Sequence, residues 1–105
     1  MHIDLSDESY TELLSSCHKL VVKATASWCR ACVPIAPHVE ALSNTHTDIT
    51  FATLDVDECP DASQYFQIEA MPTLVFLFKG TEIARVKGAN KQKIDEWVAK
   101  LDQMN

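Results

Sequence analysis

The sequence predicts an α/β domain with a mixed five-stranded sheet and four flanking helices, in the order β-α-β-α-β-α-β-β-α. Three observations predict it. Short apolar, β-branched runs alternate with stretches whose apolar residues recur at helical spacing, which implies parallel strands joined by right-handed crossovers. The last two strands flank a two-residue turn with no room for a helix, which adds an antiparallel edge. Finally, 105 residues, 47% apolar and with only two glycines, suit one compact domain over residues 1–105 rather than a disordered or multi-domain chain.

Each element has its own signal. A short first strand covers His2 to Leu5. Tyr10, Leu13, Leu14 and Cys17 recur at i, i+3, i+4, i+7 behind Ser6 and Asp7, so a helix capped by those residues is expected over about 7–17. Leu20 to Thr25 reads as a strand, and Ser27 and Trp28 turn the chain into a second helix that ends near Ser43. That helix faces inward with Ile35, Val39 and Leu42; Pro34 falls near its first turn, and Pro37 is expected to kink it. Ile49 to Val56 is a further strand, and Ala62, Tyr65 and Phe66 mark a short helix after Pro60. Thr73 to Lys79 and Glu82 to Lys87 form a hairpin across Gly80 and Thr81. Asn90 caps the last helix, which turns Ile94, Trp97, Val98 and Leu101 inward.

A formal charge of -6 repels a phosphate backbone and an anionic lipid surface, so neither nucleic acid nor membrane is an expected partner. The longest apolar run, Leu74 to Phe78, falls far short of the roughly 18 residues that span a bilayer. No charged-then-apolar leader opens the chain, so a soluble protein or a mature form is expected.

Of the four cysteines, only Cys29 and Cys32 stand close together, at a spacing that suits redox chemistry or half of a metal site. A zinc site needs about four ligands, and neither His18 nor His38 stands at a recognisable spacing from the pair, so no metal is expected. At a strand-to-helix junction, Cys29 meets unpaired N–H groups and the positive end of the helix dipole, which stabilises a thiolate. Cys29 is therefore the expected nucleophile and Cys32 the resolving thiol. Cys17 closes an apolar helical face and is expected in the core. Cys59 lies among Asp57, Glu58 and Asp61, whose charges should blunt its reactivity.

Several segments together resemble the thioredoxin family: Ala26-Ser27-Trp28-Cys29-Arg30-Ala31-Cys32, Ile35-Ala36-Pro37, Leu54-Asp55-Val56-Asp57, Met71-Pro72-Thr73 and Lys87-Gly88-Ala89-Asn90. The resemblance spans nearly the whole chain and implies a thioredoxin fold. It further implies that Pro72 is cis beside the cysteines, and that Trp28, Ala70, Met71, Pro72, Gly88 and Ala89 form a groove in which the Met71 backbone pairs with a client. The activity it implies is reduction of client disulfides, with peroxiredoxin or ribonucleotide reductase as typical clients. An NADPH-dependent thioredoxin reductase would recharge the pair. No bound cofactor, a monomer, and an intracellular site of work, cytoplasmic or else mitochondrial, complete the expectation.

Two departures from the family pattern bear on mechanism. Thioredoxins usually carry Gly-Pro between the cysteines, whereas Arg30-Ala31 places a cation beside Cys29 and should make the couple more oxidising. Lys23 stands where the family usually has a buried aspartate that moves a proton to and from the resolving cysteine. A desolvated, neutral Lys23 could act as a base, while a protonated one would favour the Cys32 thiolate. The alternatives to a reductase are thus a protein oxidant or isomerase of raised potential, and a non-catalytic module that holds clients in the Met71 and Pro72 groove.

Overall fold

A computed structural model describes residues 2–105. The strands are β1 (His2–Asp4), β2 (Lys19–Thr25), β3 (Thr50–Asp55), β4 (Thr73–Phe78) and β5 (Thr81–Lys87), and the helices are α1 (Tyr10–Ser16), α2 (Ile35–Thr45), α3 (Pro60–Tyr65) and α4 (Lys91–Asp102). They form one sheet in the order β1-β3-β2-β4-β5, parallel across β1, β3 and β2 and antiparallel from β2 through β4 to β5. This is the mixed five-stranded sheet with four helices that the alternation predicts.

The period-2 geometry of β2 sorts its side chains onto two cores. Leu20, Val22 and Ala24 face a cluster with Ala52, Leu54, Val75 and Leu77 that Leu13 and Leu14 of α1 and Ala62 of α3 cover. Val21 points the other way, with Phe51, Leu74 and Phe76, into a cluster closed by Ile35 and Val39 of α2 and by Ile94, Val98 and Leu101 of α4. Each such fully buried side chain contributes roughly 1.5–3 kcal/mol relative to exposure.

The structure corrects several local expectations. α1 begins only at Tyr10, behind a Ser6–Ser9 hydroxyl contact of 2.8 Å. Asp7 does not cap it. Its carboxylate instead accepts from the Ala62 and Asp61 amides at 2.9 and 3.3 Å, satisfying first-turn donors of α3 from 54 or more residues away. Cys17 lies just past α1 and is half-buried, packed against the first core cluster rather than fully inside it. Pro34 is the N-cap of α2, so Pro37 occupies the first turn, where amides have no helical partner, and no kink is needed. The hairpin turns at Lys79 and Gly80, not Gly80 and Thr81. Both have positive φ, 52° and 82°, the backbone that matches strand twist in a two-residue turn. Trp97 is half-buried, tilted against Phe76 at 6.5 Å with the Lys100 ammonium 4.4 Å from its ring centroid.

Candidate active site

β2 ends at Thr25 and delivers Ala26, then Cys29, onto a short 3₁₀ turn, Arg30–Cys32. The cysteines therefore do not occupy the first turn of α2, as the spacing suggests. They precede it on their own turn, with Val33 and Pro34 in between, both in helical conformation. The Cys29 amide donates to the Ala26 carbonyl at 3.1 Å and the Cys32 amide to the Cys29 carbonyl at 3.3 Å, which pins the turn. Cys29 and Cys32 are joined in a disulfide, with Cα atoms 5.4 Å apart.

Both cysteines are largely buried, at 8% and 7% exposure, and pack with Ala26 against Val56 and Met71. Met71 is thus brought to the disulfide. The Met71–Pro72 peptide is cis, Pro72 is buried, and its carbonyl accepts from the Gly88 amide at 2.8 Å. That bond ties the β4 start to the β5 end. Ala70 and Ala89 are exposed on the flanking loops, and the Ala70 carbonyl accepts the Thr73 hydroxyl at 2.6 Å. Gly88 has φ 92°, a backbone that an L side chain occupies only with strain.

Trp28 is 63% exposed, and its indole N–H donates to Asp57 at 2.9 Å. Val33, directly after Cys32, is 70% exposed. Large apolar side chains left in solvent on both sides of a disulfide suit contact with another protein. Sequence reasoning missed the roles of Asp57 and Val33. Val33 lies off the Ile35, Val39 and Leu42 face, which is a signal of exposure, whereas nothing local pairs Asp57 with Trp28.

Arg30 is exposed beside Cys29. Lys23 is not part of the cysteine cluster; it sits mid-strand on β2, only 7% exposed, with Thr53 and Leu74 as cross-strand neighbours. Burial holds its amine below the usual lysine range, while Glu40 and Asp4 work in the opposite direction. Cys59 is buried, and its thiol donates to the Leu5 carbonyl at 3.3 Å. Burial first, then the charges of Asp7, Glu58, Asp55 and Glu8, push that thiol up from its ordinary value. Among the described residues, no group of three or more His, Cys, Asp or Glu side chains is arranged to hold a metal ion.

Residues 1–100 match the family model described as Thioredoxin. The chain is 41% identical over 95 residues to Thioredoxin-2 of Saccharomyces cerevisiae, covering 90% of this chain and 91% of that one. It is likewise 41% identical over 92 residues to Thioredoxin H2 of Arabidopsis thaliana, covering 88% of this chain and 69% of that one. A solved structure concerned with the thiol resolving mechanism in yeast mitochondrial 1-Cys peroxiredoxin via glutathione/thioredoxin systems superposes with a TM-score of 0.89 at 29% identity, over 93% of both chains.

Proposed function

Because the chain belongs to the thioredoxin family and is a thiol–disulfide oxidoreductase of the protein-disulfide reductase type, we propose that its reaction runs through Cys29 as nucleophile and Cys32 as resolving thiol. The observation that carries this assignment is the disulfide at the end of β2, flanked by exposed Trp28 and Val33.

In the reduced protein, the Cys29 thiolate attacks one sulfur of a client disulfide. The client S–S bond breaks, a mixed disulfide forms, and the first client sulfur leaves as a thiolate that takes up a proton. Cys32 then gives up its proton and attacks Cys29 Sγ. The mixed disulfide breaks, the second client thiol is released, and the protein ends with the Cys29–Cys32 bond. Two electrons and two protons pass to the client. Trp28, Ala70, Met71, Pro72, Gly88 and Ala89 form the client groove, with the Met71 backbone offering strand-like hydrogen bonds.

Thioredoxins need no bound cofactor, and this chain works as a bare dithiol. Its clients are disulfide-bearing proteins. A peroxiredoxin is the favoured type, supported by the peroxiredoxin theme of the similar solved structure. Recharging by a thioredoxin reductase, a monomeric state, and work in a reducing compartment, cytoplasmic or mitochondrial, complete the proposal. Among the described residues no helix is long and apolar enough to cross a membrane.

Insulin reduction under a dithiothreitol supply tests the roles. Cys29→Ser abolishes turnover, and Cys32→Ser accumulates a mixed disulfide visible by mass. A Cys29→Ser protein that still turned over would overturn the assignment.

A further inference from the structure

Lys23 lies on the sheet face that carries Val21, Phe51, Leu74 and Phe76, where a charged amine is costly unless an anion compensates it. Across three adjacent strands, Asp4, Thr53 and Lys23 stand in register as direct neighbours. Above that row, α2 contributes Glu40. The Glu40 carboxylate meets His2 Nδ1 at 2.6 Å, and His2 Nε2 meets the Thr53 hydroxyl at 2.6 Å. A carboxylate only accepts, so Nδ1 carries the proton; in the neutral ring Nε2 then accepts from Thr53. Glu40 is thereby held by a chain of contacts that runs through His2 to Thr53, the cross-strand neighbour of Lys23. α2 itself is tied to α4 by His38–Asp95 at 2.7 Å and His46–Asp102 at 3.1 Å, so the carboxylate comes from an anchored helix.

We propose that Glu40, held in place by His2, is a positioning residue for Lys23: its carboxylate keeps the proton on the buried amine and so sets the charge on the strand that leads to the redox pair. The inference rests on Lys23 modulating the Cys29–Cys32 couple. With its proton kept, Lys23 favours a Cys32 thiolate electrostatically; with the proton lost, it becomes a base that can take the Cys32 proton. Glu40 selects the first role. Among the described residues, the charged or titratable groups that face Lys23 are Asp4 and His2 from β1 and Glu40 from α2, while Thr53 of β3 and Leu74 of β4 bring no charge.

The ¹⁵N resonance of the Lys23 ammonium, assigned with Lys23→Met, reports the proton directly. In Glu40→Gln the amine should titrate roughly three- to tenfold more readily, about half to one pH unit lower. The pH profile of insulin reduction should move the same way. Glu40 is half exposed, so the variant should fold, and His2→Gln, which frees the carboxylate, should give a smaller shift in the same direction. A Lys23 titration that stays put, or moves up, in Glu40→Gln overturns the proposal. A parent protein unable to reduce insulin would overturn the reductase reading instead, and the titration would still decide whether Glu40 holds the Lys23 proton.

Discussion

Arg30→Ala asks whether one cation beside Cys29 changes the direction of the chemistry. Arg30 is exposed, and its neighbour Cys29 is 8% exposed, so their interaction runs partly through water. For adjacent residues, whose Cα atoms lie about 3.8 Å apart, the long Arg30 side chain can place its guanidinium on the order of 7 Å from the sulfur. At that distance the attraction is about 0.6 kcal/mol in a water-like medium and about 2.4 kcal/mol at a protein-surface dielectric of about 20, before salt reduces it. For a two-electron couple about 1.4 kcal/mol corresponds to 30 mV, so Arg30 raises the potential by about 13 to 50 mV. Ordinary thioredoxin and disulfide-isomerase couples lie about 90 mV apart, or about 4 kcal/mol. Even the upper figure does not close that gap, so the protein stays a reductase. Equilibration with glutathione buffers, read by mass or by tryptophan fluorescence, gives the potential. The expected result is a shift of Arg30→Ala toward more reducing values by no more than about 50 mV, with Arg30→Lys close to the parent. A shift beyond that, or one toward more oxidising values, would refute the reasoning.

Two further outcomes follow from buried groups. Burial lowers the Lys23 amine below its ordinary 10.5, so between the lowered value and 10.5 the unfolded chain binds more protons and the folded protein gains stability as pH rises. Lys23→Met should lose that slope in urea titrations and gain about 1 kcal/mol near neutral pH; a variant that kept the parent's slope would refute the assignment. The Cys59 thiol is raised above its ordinary 9.0, so its contribution to stability is present below that pH and fades as pH climbs toward the folded value. In the reduced, folded protein at pH 8, iodoacetamide should label Cys29 and spare Cys59, and Cys59 labelling at the unfolded rate would contradict its burial.

The alternation of β-branched runs and helical periods determined the element order, and Cys29-Arg30-Ala31-Cys32 followed by Met71-Pro72 pointed to the redox pair and the cis proline near it. These signals are local: a period, a turn or a three-residue spacing can be read within a short window because backbone propensity and side-chain alternation act over that range. What the tertiary structure alone decided are pairings across long stretches of chain. Asp7 could cap α1 by its position but satisfies α3; Trp28 finds Asp57 29 residues on; Glu40 and His2, 38 residues apart, meet, and His2 reaches on to Thr53. The 3₁₀ turn that holds the cysteines ahead of α2 and the half-burial of Cys17 belong with them. A short polar side chain has several partners it could satisfy, and only the packing of sheet against helix determines which one lies within about 3 Å.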